Sequence, residues 1–503
     1  MRQIMQHTPS KLSSKTLASL PEHVAIPRYD RRSVRAGIAH IGVGNFHRAH
    51  QALYVDRCLH LSGQEAWGLL GIGLGAGPGP VRKASDLQRQ DCLFTLTEYA
   101  SNGAVAVRVI GSMVDYLHAP ADPAAVLDRL ADPAIGIVSL TITEGGYNIE
   151  EATGEFDLSH PDVEHDLSQP QSPRTAFGFV VEALNRRRTS GVGPFTVMTC
   201  DNLRHNGDVA HLAFTSFARA RDVGLADWIE RHVSFPNSMI DRITPMVDES
   251  ERQRLNRENG VDDLRPVMAE DYLQWVMEDR FCAGRPNFKA VGVDLRDDVR
   301  EFEKIKGRML NASHMTLCFP ALLLGYREVH EAMADKRLRR LLELYMEKDA
   351  IPLLTAPAGL DLHSYKQMVL RRFANPAIHD QLLRICGNGA VKLPTFLFKT
   401  LASCLNEGRD ITRFAFVFAC FHRYLKGQDE VGARFILDEP HISTSELEAA
   451  KVDDPRGVLG LSSFASLDLA GSSAFVAGYM SCVDMIATGG VAKALEAAIT
   501  TSD

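Results

Sequence analysis

The chain is 503 residues long with a formal net charge of −8, 45% hydrophobic and 23% charged residues, the profile of a soluble globular protein too long for one ordinary core. The charge is dispersed, with no basic block, which argues against nucleic acid or an anionic membrane as main partner and leaves a small molecule. Nine cysteines stand singly with no C-x-x-C pair, so they read as free thiols of a reducing, cytoplasmic compartment, without a disulfide framework or a cysteine zinc site.

Residues 1–27 lack an apolar core, so no signal peptide is expected. Residues 37–50 form a short β-type run, then Gly42-Val43-Gly44, then a helical pattern. Gly42 and Gly44 fill the first two places of G-x-G-x-x-G, where glycine permits a tight turn and close approach of backbone N–H groups to a pyrophosphate. His47 takes the third place, a departure from that fingerprint. Residues 67–74 predict a second strand. A NAD site usually ends this strand in an acid that holds the ribose hydroxyls. Here it runs into Gly73-Leu74-Gly75-Ala76-Gly77-Pro78-Gly79-Pro80, with Arg82 and Lys83 close behind, cations compatible with a 2′-phosphate.

Two β-branched runs, 135–143 and 195–200, end at Glu144-Gly145-Gly146-Tyr147 and at Asp201-Asn202. Polar residues where a strand becomes a loop are the usual ligand position on an open α/β sheet. With an amphipathic helix at 174–188, the alternation up to about residue 290 predicts a mostly parallel, doubly wound sheet. Beyond residue 297 strand signals almost vanish. Helical patterns follow at 300–333, 337–347, 360–373, 378–384, 395–406, 412–425 and 474–499. The expected fold is therefore α/β, a Rossmann-type domain over 1–295 and a mostly helical domain over 296–503. The longest apolar run, 315–324, is too short for a bilayer and contains Pro320, so no membrane span is expected.

The second region opens on Glu303-Lys304-Ile305-Lys306-Gly307-Arg308-Met309-Leu310-Asn311-Ala312-Ser313-His314. On an α-helix, ~100° per residue puts Glu303, Lys306, Leu310 and His314 on one face, with Asn311 at its edge. A lysine sheltered from water loses its proton near neutral pH and serves as a base. An amide and an imidazole beside it hold the oxygen it deprotonates. The plainer alternative is a solvated polar face.

Gly42-Val43-Gly44-Asn45-Phe46-His47-Arg48-Ala49-His50-Gln51, Ser139-Leu140-Thr141-Ile142-Thr143-Glu144-Gly145-Gly146-Tyr147, Thr199-Cys200-Asp201-Asn202 and Phe235-Pro236-Asn237-Ser238-Met239-Ile240-Asp241-Arg242 occur in that order. The Lys306 segment, Arg384 and Lys392 follow. Together they resemble the polyol-specific long-chain dehydrogenases, above all the mannitol 2-dehydrogenase branch, over about residues 37–460. The resemblance implies metal-independent, NAD(P)-dependent interconversion of a polyol and its ketose, D-mannitol and D-fructose being the closest pair, in a cleft between two domains. It implies Lys306 as general base, Asn202 and Asn311 as ligands of the reacting oxygen, and His314, Asp241, Arg384 and Lys392 as residues that orient the polyol hydroxyls. Glu144 and Glu303 are candidate proton relays. Gly42, Gly44, Asn45, Phe46 and Arg48 are expected at the cofactor, NAD with NADP open, and a monomer is implied.

Plainer roles compete at several positions: an ion pair of Asp241 with Arg242, a helix cap for Asn202, a core histidine at 314, surface charges at 384 and 392. The chain departs from the family at Glu270-Asp271-Tyr272, where Glu-Pro-Phe is common, at Ala312, where glycine is usual, and in the longer, less acidic glycine-rich loop. Competing functions are a fructuronate reductase, a sorbitol or arabinitol dehydrogenase, a nucleotide sensor without catalysis, and a metal-dependent alcohol dehydrogenase. The last finds no ligand cluster in the sequence.

Overall fold

The computed structural model describes residues 9–150, 153–451 and 454–500. It divides into two compact units, Met1–Arg300 and Glu301–Asp503.

The first unit is built on five parallel strands in the spatial order Met113–His118, Gly68–Gly73, Ala36–Ile41, Ile137–Leu140 and Thr196–Thr199. Every residue of Ala36–Ile41 and of Ile137–Leu140 is buried, as expected of central parallel strands covered on both faces. The chain leaves Ala36–Ile41 toward one edge and returns to Ile137–Leu140 on the other side. Strand order therefore reverses between these two, and a crevice opens beyond their carboxyl ends. Ala176–Thr189, predicted from its amphipathic pattern, packs its apolar side into the core beneath Val138, Leu140 and Val197.

Further strands depart from the mostly parallel expectation. Phe94–Tyr99 and Val105–Ile110 pair antiparallel. Their loop carries Asn102-Gly103, with Gly103 at φ 84° and Asn102 Oδ1 accepting from the Ala104 amide at 3.0 Å. Asn-Gly between alternating runs is a hairpin signal that sequence analysis passed over. Ser238–Asp241 pairs antiparallel with Gln274–Glu278, Asp241 opposite Gln274.

The second unit is helical around one apolar core, and among the described residues no strand lies beyond Arg296. The single helix expected over 300–333 is divided. Arg300–Ile305 is α, Lys306–Asn311 a π-helical turn, Ala312–Leu323 α again. A break then precedes Val329–Ala334. The break falls at Gly325, whose φ of 95° suits glycine alone at low cost. Another π turn, Pro394–Phe398, begins where proline lacks the amide for an i→i+4 bond. The 28-residue helix Ser473–Thr500 is long and apolar enough to cross a membrane. It is bent at Gly490, however, and it packs Phe475, Tyr479, Cys482, Ile486 and Leu495 into the core against Thr412–Tyr424. One face of it therefore belongs to the core, while 28% of its apolar window is buried.

Candidate active site

The glycine turn sits at the carboxyl end of Ala36–Ile41, beside the crevice. Gly42 has φ 96°, and a Cβ there would lie 2.0 Å from the Thr141 carbonyl oxygen. No other residue fits. Gly44 is different: a Cβ on it would meet only the Gly42 oxygen, at 3.9 Å, so this glycine leaves open space where a ligand can approach the backbone. Buried polar contacts fix the two strand ends. His40 Nδ1 lies 2.8 Å from Ser139 Oγ and its Nε2 2.9 Å from Thr141 Oγ1, while Gln51 holds Ser139. His47, which fills the third glycine place, is buried and stacked on His40 with ring centroids 3.5 Å apart. Burial and the neighbouring His40 hold it neutral, well below its ordinary pKa. It therefore supports the turn rather than binding charge.

Asn45 Oδ1 accepts from Arg48 Nη2 at 2.7 Å, and Arg48 also donates to the Arg265 carbonyl. The Phe46 ring stacks on His50, with centroids 5.0 Å apart. Burial lowers Arg48 to about 10. Lys83 reaches back from Pro78–Arg89 to donate to the Val43 carbonyl within the turn. Burial, then Arg48 and Arg265, push it down to about 8. Cations crowded closely enough to lower one another's pKa mark a place that an anion would relieve. Arg265 belongs to this group and was missed in the sequence, where it lies far from the glycines. A cavity of about 320 Å³ adjoins it, lined by Arg48, Arg82, Arg252 and Arg265 but also by Asp86, Asp248 and Glu249, of which Asp86 pairs with Arg265 and Glu249 with Arg252. A second of about 340 Å³, lined by Gly42, Leu74, Gly75, Thr141, Ile142 and Phe177, opens at the crevice. An apolar slot, an open glycine backbone and clustered cations fit a dinucleotide, and no carboxylate follows Gly68–Gly73 before Asp86.

At the neighbouring strand end, the buried Asp201 accepts from the Ile142 and Thr143 amides at 3.0 and 2.9 Å and from Tyr147 Oη at 2.7 Å. It ties the 141–147 loop to the bend after Thr196–Thr199 that carries Asn202. Asn202 itself is exposed, and the N-cap position of the next helix, Asn206–Arg221, is His205. Asp241 is buried at the end of its strand. Arg242 is engaged by Glu98 and by the carbonyls of Ala49 and Glu270. The Glu144 side chain lies outside the described residues.

In the second unit the π turn bears directly on the lysine. Offset five would separate Lys306 and Asn311 by ~140° on an α-helix, whereas i→i+5 hydrogen bonding brings them toward one another around the wider turn. Lys306 and Glu303 are both only 9% exposed, and Asn311 is half-buried. The His314 ring lies flat on Phe373, with centroids 4.1 Å and planes 7° apart, so its orientation is fixed by stacking. Ala312–Leu323, continuing the turn, packs against Leu382–Cys386 and Gly389–Leu393. Those helices carry Arg384 and Lys392. Arg384 is exposed and paired with Asp380. Lys392 is half-buried and donates to the Ile385 carbonyl at 3.1 Å. Burial lowers its pKa.

Models of the mannitol dehydrogenase Rossmann domain and of the mannitol dehydrogenase C-terminal domain match residues 36–290 and 298–487. The chain belongs to the mannitol dehydrogenase family. A polyol:NADP oxidoreductase of Gluconobacter oxydans is 49% identical over 90% of this chain and 93% of its own. A mannitol 2-dehydrogenase of Phaeosphaeria nodorum is 41% identical over 93% and 82%. Among solved structures, the Pseudomonas fluorescens mannitol 2-dehydrogenase in ternary complex with NAD and D-mannitol matches at TM-score 0.89 and 42% identity, over 98% of this chain and all of that one. A substrate-free D-sorbitol dehydrogenase matches at TM-score 0.89 and 46% identity, over 96% of this chain and all of that one. The family's Rossmann-plus-helical architecture is the one described above.

Proposed function

We propose that this protein is an NAD(P)-dependent polyol dehydrogenase that interconverts D-mannitol and D-fructose without a metal, with Lys306 as general base. The observation that carries this is the π turn, which places a buried lysine and an amide five residues apart on one rigid element. Oxidising a secondary alcohol requires loss of its hydroxyl proton as the carbinol hydrogen leaves. Lys306 accepts that proton. The Asn311 amide donates to the developing alkoxide, an oxyanion-type contact whose loss typically costs about 2.7–4 kcal/mol of barrier. Asn202 is assigned the same type of donor by the family resemblance and is tested separately. His314, Asp241 and Lys392 orient hydroxyls, and Glu303, one turn before Lys306, passes the proton onward. The bound nicotinamide supplies the hydride acceptor. Gly42, Gly44, Asn45, Phe46 and Arg48, with Lys83, hold the dinucleotide.

A neutral polyol is favoured over a uronate because Arg384 already carries an Asp380 partner, so it offers no unmatched charge to a carboxylate. NADP is favoured beside NAD, because no carboxylate ends the second strand while Lys83 and Arg82 follow it. The test is NAD(P)H absorbance with mannitol, sorbitol, fructose and fructuronate, each with NAD and NADP, with and without chelator. Chelator-resistant mannitol turnover that drops by at least ~100-fold in Lys306→Ala supports the reading. Fast fructuronate reduction with little mannitol turnover replaces it.

A further inference from the structure

We propose that Glu439 is a positioning residue that sets Lys392 for the polyol by gripping the turn on which that lysine is carried. The proposal rests on the assignment of Lys392 made above. Lys392 lies in the short helix Gly389–Leu393, which the chain enters through Asn388 at φ 55°. Three successive amides of that entry are held from one distant segment. The Asp438 carbonyl accepts from the Asn388 amide at 2.7 Å. Glu439 Oε1 accepts from Gly389 at 2.8 Å, and Oε2 from Ala390 at 3.0 Å. Both carboxylate oxygens are thus spent on adjacent backbone donors, which fixes the direction of the turn as well as its place.

The seat admits no slack. A Cβ on Gly389 would stand 2.9 Å from Glu439 Oε1, from Phe319 Cζ and from Phe421 Cε2. A cap made by a local side chain would satisfy such amides at less cost. Here a carboxylate 50 residues away is buried among aromatic rings instead, beside the one lysine of the turn. Its surroundings explain how it responds to pH. Burial raises the Glu439 carboxyl to about 7, against the pull of the Ala390 and Gly389 amides and of Lys392, with Asp438 pushing it further up. The other titratable groups facing it are Cys386 before the turn and Tyr424 on Thr412–Tyr424, both of which also neighbour Cys318 on Ala312–Leu323. Arg384 reaches Lys392 but is matched by Asp380. Below about pH 7 one carboxyl oxygen carries a proton and can no longer accept from both amides, so the turn loosens.

The experiment compares full-length wild type, Glu439→Gln, Lys392→Ala and the double variant, using whichever polyol turns over in the assay above. Glu439→Gln is expected to raise the polyol KM roughly tenfold while kcat moves less than about threefold, with dinucleotide affinity unchanged. In the Lys392→Ala background the same substitution adds nothing. The wild-type KM rises as pH falls through about 7, and Lys392→Ala lacks that rise. Independent, multiplying effects of the two substitutions overturn the proposal, as does an unchanged KM in Glu439→Gln where Lys392→Ala raises it. An unchanged KM in Lys392→Ala overturns the assignment of Lys392 itself, and the proposal with it. If Glu439→Gln does not fold, the pH profiles decide: one shared by wild type and Lys392→Ala sinks the idea.

Discussion

Two glycines of one motif differ in what they tolerate. At Gly42 an alanine meets both a left-handed φ and a backbone oxygen at 2.0 Å, a conflict that costs roughly 1–3 kcal/mol or more in strain. Gly42→Ala is therefore expected to lower Tm and abolish dinucleotide binding together. Gly44→Ala has room, so it should leave Tm nearly unchanged and weaken only the dinucleotide. Equal loss of Tm in both variants would show that the open side of Gly44 is not where the ligand lies. Lys83 allows a test of cofactor choice. Its pKa is pushed down to about 8, so it is charged below that pH and neutral above it. NADP affinity should then fall as pH rises through about 8, while NAD affinity changes less. Lys83→Met should remove the difference, and titration of the free enzyme with each dinucleotide measures it. At this scale the glycines were legible because a tight turn needs them at fixed spacing. Lys83 was legible as a nearby cation but not as a ligand of the turn, since its reach back to Val43 exists only once the helix after the second strand has packed. Arg265 gave no signal at all.

The elements show where a 3.6-residue period misleads. Residues 300–333 carry apolar side chains at helical spacing throughout, so the sequence reads as one helix. A π turn adds only one residue to a helical turn and barely disturbs that pattern. The surplus residue still changes which side chains meet. If the π turn serves only to bring Lys306 and Asn311 into phase, deleting Arg308, whose guanidinium otherwise donates to the Leu353 carbonyl, removes the surplus residue and lets the turn close as α. Lys306 then stands four residues and ~40° from Asn311, with the flanking helices in their original phase. Helix content by circular dichroism is expected to hold, and polyol turnover to survive. A fall of at least ~100-fold in kcat/KM would mean that the wider turn itself, beyond the phase of the two residues, serves the reaction. The Gly325 break and the Asn102-Gly103 hairpin, by contrast, were written in ordinary turn chemistry and could have been read.

For the whole molecule, composition and ordered motifs were enough for architecture and family, because parallel strands and core helices are each specified locally. Contacts between distant segments, such as Glu439 with residues 389–390, depend on the packed core and left no periodic trace. The same core makes the nine free cysteines a measure of its integrity. Eight are buried and only Cys282 is partly exposed. Burial raises Cys58 and Cys92 to about 12 and Cys404 and Cys482 to about 11, so few thiolates exist near neutral pH and attack is slow. Native alkylation followed by mass spectrometry should label Cys282 first and leave the others until denaturant is added. Cys420 and Cys482 are the informative exceptions to watch. They lie on Thr412–Tyr424 and Ser473–Thr500, the helices whose packing seats one face of the apolar C-terminal helix in the core. Early labelling of both would show that helix leaving its seat in the native state. Protection of both until global unfolding places it within the cooperative core of the second unit.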